Sequence, residues 1–209
     1  MIFPAKTCTA LTRILFLINL LILVAFPHSV QAVTIKSITI ASAVTPLAIG
    51  DSYQGGIIAY ILQSGDPGYD SSVQHGLIAA IADQSTSIVW AIPACQGTTV
   101  PGVATATAIG TGKANTDAII AQNGAVSTYA AGLARAYTGG GYSDWYLPSK
   151  DELNKLYLNR DAVGGFAVNY YWSSTEDGAD NAWYQIFYNG VQSWLDKSYY
   201  GRVRAVRAF

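Results

Sequence analysis

The stretch from Gly139 to Tyr157, GGGYSDWYLPSKDELNKLY, constrains the fold more than any other part of the chain. Its three glycines allow backbone angles closed to other residues, so the chain can reverse sharply before Tyr142. Pro148 holds Leu147 extended, and Ser149 with Glu152 three residues later forms a capping box, which predicts a helix start. Leu153, Leu156 and Tyr157 recur at helical spacing and give that helix one apolar face. Asp144 and Trp145, just upstream, admit two readings. One is a ligand-facing acid beside a stacking aromatic ring. The other is a core tryptophan, with Asp144 paired to a closing-strand arginine such as Arg204 or Arg207; the neighbouring capped helix favours this second reading.

At the amino end Lys6 and Arg13 precede a thirteen-residue apolar run, Ile14 to Phe26, and Val30-Gln31-Ala32 supplies a small-residue cleavage site. The pattern predicts a secretory signal peptide over 1–32, too short to stay as a comfortable membrane span, so no stable membrane insertion is expected after cleavage. The remaining 177 of 209 residues suit one well-cored domain, read here as an extended lead-in over 33–49 and a single domain over 50–209. The leader removes two bases and no acid, so the formal net charge falls from −1 to −3. That balance gives no support to a nucleic-acid partner. Aromatic and charged residues each make up 12% of the chain, so glycine, hydroxyl residues and tyrosine must carry much of the surface, as in extracellular binding folds. Cys8 leaves with the leader, and Cys95 alone can form no intrachain disulfide. With His75 the sole remaining histidine, a zinc centre is not expected.

Further along, Gly56 to Leu62, His75 to Ile81 and Ile88 to Ile92 read as buried strands. Pro93 to Gly112 lacks periodicity and reads as a long loop. Asn115 or Thr116 is expected to cap a helical stretch, which is interrupted at Asn123-Gly124 and resumes towards Tyr137. After the capped helix, Tyr170 to Thr175 and Ala182 to Tyr188 are strand-like, and Asn189-Gly190 is a strong hairpin signal leading into Val191 to Leu195. Arg202 to Phe209 reads as one closing strand. The expected fold class is α+β: two helices packed on one side of a twisted antiparallel sheet.

GYSDWYLPSKDELNKLY, YWSSTE, AWYQIFYNG and VRAVRAF, in that order, resemble the bacterial Lcl C-terminal domain family over about Gly50 to Phe209. The same order is similar to the C-type-lectin-like fold of the sulfatase-modifying-factor group, with Tyr146-Leu147-Pro148-Ser149 and Val203 to Arg207 in the corresponding places. On this resemblance Asp144, Trp145, Pro148, Ser149, Glu152, Arg204 and Arg207 are signature positions of the fold. The family sits at the ends of surface adhesins and is implicated in binding sulfated glycans. The present chain lacks a collagen-like repeat and is slightly acidic.

Two site candidates follow from the last third of the chain. Trp194, Lys197, Tyr199, Tyr200, Arg202 and Tyr188 form an aromatic and basic set suited to stacking a sugar ring or meeting a protein. Glu176, Asp177, Asp180 and Asn181 place four oxygen-bearing side chains in six residues; this set could bind calcium, although a solvated turn explains it without any ion, and no cofactor is required. A single His75 gives no catalytic triad, and Gly110-Thr111-Gly112-Lys113 lacks phosphate-loop spacing, so an enzyme is not expected. The functional expectation is a secreted, periplasmic or cell-surface binding module for an extracellular glycan or protein. The alternative is a structural domain that assembles as a homo-oligomer.

Overall fold

The computed structural model describes residues 45–102 and 105–209, and Val44–Phe209 forms one compact unit. The expected signal peptide and most of the expected lead-in lie outside the described residues. Among the described residues, nine strands and four α-helices alternate as two β-rich halves around a helical middle. Strands β1 (Ser52–Tyr53), β2 (Gly56–Ile61), β3 (Gly76–Ala79) and β4 (Ser85–Val89) precede helices α1 (Gly112–Asn123), α2 (Ala130–Ala136), α3 (Lys150–Leu158) and α4 (Arg160–Val163). Strands β5 (Tyr170–Glu176), β6 (Asn181–Ile186), β7 (Gln192–Asp196), β8 (Tyr200–Val203) and β9 (Val206–Ala208) complete the chain.

The fold is α+β, with two sheets where one was expected. One sheet has the order β1-β2-β3-β9 and is antiparallel; the other has the order β4-β8-β5-β6-β7, with a single parallel contact between β5 and β8 at Tyr171 and Arg202. The expected closing strand divides between them, since β8 lies inside the second sheet and β9 edges the first. Arg204 and Ala205 make the turn. Arg204 is buried there and donates to the Ala80 carbonyl at 3.0 Å and to Asp83 Oδ1 at 2.7 Å.

The helices do not share one side. Ile78, Trp172 and Ala205 join Ile119, Ala130 and Ala134 of α1 and α2 in one core. Their chain neighbours Ala79, Tyr171 and Val206 join Leu153, Leu156 and Val163 of α3 and α4 in another. Successive strand residues point to opposite faces, so β3 and β5, buried along nearly their whole length, need cover on both.

α3 starts as its sequence dictates: Ser149 Oγ accepts the Glu152 amide, and the Glu152 carboxylate accepts the Ser149 amide at 2.8 Å. α1 starts earlier than expected, after Thr111, which leaves Asn115 and Thr116 inside the helix. Those two side chains serve tertiary contacts instead of a cap. Thr116 Oγ1 donates to the Leu147 carbonyl at 3.2 Å, and Asn115 Nδ2 donates to the Ala106 carbonyl at 2.7 Å.

The Gly139–Gly141 turn is held against the first sheet by a contact only glycines permit. A Cβ on Gly55 would lie 2.4 Å from Gly140 Cα, and both residues have positive φ. Beyond that turn Trp145 is fully buried, and Tyr146 bridges Val206 through a pair of backbone hydrogen bonds of 2.8 and 2.9 Å. Asp144 receives a bidentate pair from Arg207 at 2.8 and 2.9 Å, which holds its carboxyl below the usual range.

Candidate ligand-binding surface

The β6–β7 hairpin presents an exposed tryptophan, Trp194, on an ordered strand. Its register sets Trp183 opposite Trp194 and Gln185 opposite Gln192, all on one face. α3 lies over the inner half of that face. Gln185 Nε2 donates to Asn154 Oδ1 at 2.8 Å, Gln192 Nε2 donates to the Lys150 carbonyl at 2.8 Å, and Lys150 Nζ sits 3.4 Å from the Trp183 ring centroid. Trp183 is therefore half-buried under an ammonium group. Trp194, on the edge strand β7, remains 53% exposed.

The expected aromatic and basic set divides in the structure. Tyr188, Tyr199 and Tyr200 are 57%, 58% and 67% exposed. Tyr188 lies in the hairpin loop, whereas Tyr199 lies beyond the other end of β7. Tyr200 opens β8, which β5 and β6 separate from β7, so at roughly 4.8 Å per strand it stands about 14 Å from the Trp194 strand. No single platform holds all four rings.

Lys197 and Arg202 do not belong to an open surface, which corrects their expected role. Lys197 is fully buried: its Nζ lies 2.5 Å from Glu176 Oε1 and also donates to the Thr98 and Ala179 carbonyls. Arg202 pairs with Asp83 Oδ2 at 2.9 Å, and its side chain is 21% exposed. Burying a charge is costly unless it is paired and hydrogen-bonded, and each of these cations meets that condition with an internal carboxylate.

The same ion pair breaks up the expected calcium set. Glu176 is buried and accepts both Lys197 and the Val100 amide, so its carboxylate faces inward. Asp177 and Asp180 are exposed and Asn181 is half-buried, which leaves a solvated turn. Among the described residues no group of three acidic, cysteine or histidine side chains is gathered for a metal.

Glu152, Tyr171, His75 and Arg135 are tied into the scaffold. Burial raises the Glu152 carboxyl against the pull of the Ser149 and Gly110 amides, and burial pushes Tyr171 up to about 12 beside Asp83. His75 Nδ1 lies 3.1 Å from the Phe209 carbonyl, at a small apolar pocket of about 260 Å³. A larger apolar groove of about 630 Å³ runs beside α2, where Arg135 is occupied by Asp117 at 2.6 Å. Sequence reading missed Lys150, Asn154, Gln185 and Gln192, which dock α3 on the hairpin. The available signal was the strand alternation that puts Gln185 and Gln192 on the Trp183 face.

The model of the Lcl C-terminal domain matches residues 79–207. A solved fimbrial protein from Bacteroides ovatus ATCC 8483 aligns with a TM-score of 0.46 at 16% identity, over 72% of this chain and 43% of that one. The chain thus spans less than half the length of that protein. No curated protein sequence matches it. Among the described residues, no helix is long and apolar enough to cross a membrane.

Proposed function

Because the chain belongs to the Lcl C-terminal domain family, a membership compatible with a surface-associated module, we propose that it is a secreted or cell-surface binding module for an extracellular glycan or protein. The observation that carries this reading is Trp194. It is exposed on an edge strand, opposite a second tryptophan held rigid by Lys150. A large flat ring on a fixed frame gives contact area at little entropic cost. The expected signal peptide over 1–32 supports export, and the order of the Tyr146–Ser149 and Val203–Arg207 motifs supports a lectin-like use of the fold. Binding is favoured over catalysis because the buried carboxylates Glu152 and Glu176 are occupied by backbone amides and by Lys197.

The test is retention of the purified domain on a glycan array and on envelope extracts, in wild-type and Trp194→Ala forms. Loss of about tenfold in affinity is expected from removing an interfacial tryptophan. Folded wild-type protein that retains nothing on either support would refute the proposal. Self-assembly is the second reading, favoured by β7, which among the described residues pairs with β6 alone and has no strand on its outer edge. Light scattering separates the two: a stable oligomer that Trp194→Ala converts to monomer favours assembly.

A further inference from the structure

A second concave surface lies between the α4–β5 connection and the hairpin loop, away from the Trp194 strand. This groove of about 490 Å³ is lined by Arg160 and Asp161, by the Gly164–Val168 connection at its base and by Tyr188 from the hairpin loop. Its base is fixed from below. Arg204 donates to the carbonyls of both Gly164 and Gly165, and its guanidinium lies 4.2 Å from the Phe166 ring. Phe166 in turn packs on Phe187 and Tyr171 at 4.7 and 5.5 Å.

The orientation of those two carbonyls sets the chemistry of the groove. In a trans peptide the N–H points opposite to the C=O, so with the Gly164 and Gly165 oxygens drawn inward to Arg204, the amides of Gly165 and Phe166 point outward. Neither amide makes a hydrogen bond among the described residues. Two free donors therefore face the groove, beside the Arg160 guanidinium. Asp161, 95% exposed, adds an acceptor at the rim and lies 4.0 Å from Arg160, so the wall carries no net charge.

We infer that this groove binds one neutral pyranose ring, with Tyr188 stacking on its C–H face and Arg160, Asp161 and the Gly165 and Phe166 amides meeting its hydroxyls. A sugar hydroxyl both donates and accepts, and this wall offers both roles within one ring's width. An anionic sugar would meet the Asp161 carboxylate. The cavity lies in the range of small-ligand sites, and its frame is preformed. The inference rests on the reading of the chain as a binding module but does not depend on the Trp194 face.

Amide resonances of 15N-labelled protein, titrated with the methyl α-glycosides of glucose, galactose and mannose and separately with glucuronate, test it. Saturable shifts at Gly165, Phe166 and Val168 are expected with at least one neutral glycoside. Tyr188→Ala should weaken that binding about tenfold, while Tyr188→Phe retains it. Tyr188 is exposed, and an otherwise unchanged spectrum verifies the variant's fold. Silence of these amides up to about 50 mM, well past the millimolar range expected of a one-ring site, overturns the inference, as does tighter binding of glucuronate or an unaffected Tyr188→Ala. Groove silence while the Trp194 indole still responds to an array-selected ligand removes the groove alone. If neither responds, both proposals fall.

Discussion

Replacing Lys197 with Met should be among the most damaging single changes in the domain. Lys197 and Glu176 are both fully buried, 2.5 Å apart, and Lys197 also ties down the Thr98 and Ala179 carbonyls. At an effective dielectric near 20, their attraction is about 7 kcal/mol. Desolvation costs several kcal/mol per ion, so the intact pair contributes little net stability. Met preserves the methylene packing and removes only the ammonium group. The Glu176 carboxylate is then left in the interior with the Val100 amide as its remaining partner. An uncompensated buried charge of this kind costs about 3–5 kcal/mol. For a domain of this size, that corresponds to a fall in Tm of roughly 6–20 °C. Urea unfolding followed by circular dichroism measures the loss, and the double variant Lys197→Met/Glu176→Gln should recover most of it. Single variants that each cost under about 1 kcal/mol and add independently would refute the argument, because the two side chains would then not be energetically coupled.

Three further predictions rest on separate features. Gly190→Ala should destabilise the hairpin by at least about 1–2 kcal/mol, because Gly190 has a φ of +80° and a Cβ there would lie 2.4 Å from the Tyr157 ring; thermal melts read the loss. Glu152, whose folded carboxyl is raised by burial, holds a proton in the native state over a pH range where the unfolded chain has released it. Its contribution is present below the unfolded value and lost as pH rises through the folded one, and Glu152→Gln should flatten that part of a stability–pH curve. Asp144 behaves in the opposite sense, since Arg207 lowers its carboxyl. Its stabilisation is present above the unfolded value and lost on acidification, and Asp144→Asn should remove an acid-side decline of about 1 kcal/mol or less, because the carboxylate is half-exposed and screened by solvent.

Local chemistry makes part of the fold legible in the sequence alone. The Ser149–Glu152 box marks the start of α3, and the Asn189-Gly190 turn announces the β6–β7 hairpin. Where side chains act over distance, the sequence misleads. Asn115 and Thr116 look like caps, yet in the folded chain they bond Ala106 and Leu147. Arg202 to Phe209 alternates like one strand, and nothing in its pattern marks the crossing between sheets that Arg204 makes by reaching Ala80 and Asp83. The candidate surface is half legible. The exposure of Trp194, Tyr199 and Tyr200 follows from there being more aromatics than one core face can hold, whereas the burial of Lys197 depends on Glu176, 21 residues away.

The division of the closing segment also bears on how the domain is made. β8 sits between β4 and β5, and β9 edges β3, so both sheets wait for the same short stretch of chain. One of its ties, Arg204 to Ala80, spans 124 residues of sequence. Pairings this remote close slowly, on a scale of milliseconds to seconds, and a nascent chain on the ribosome cannot form them until synthesis has passed Val206. Until then β3 and β4 lack their final partners. The domain therefore stays open until the β8–β9 segment emerges and locks both sheets at once.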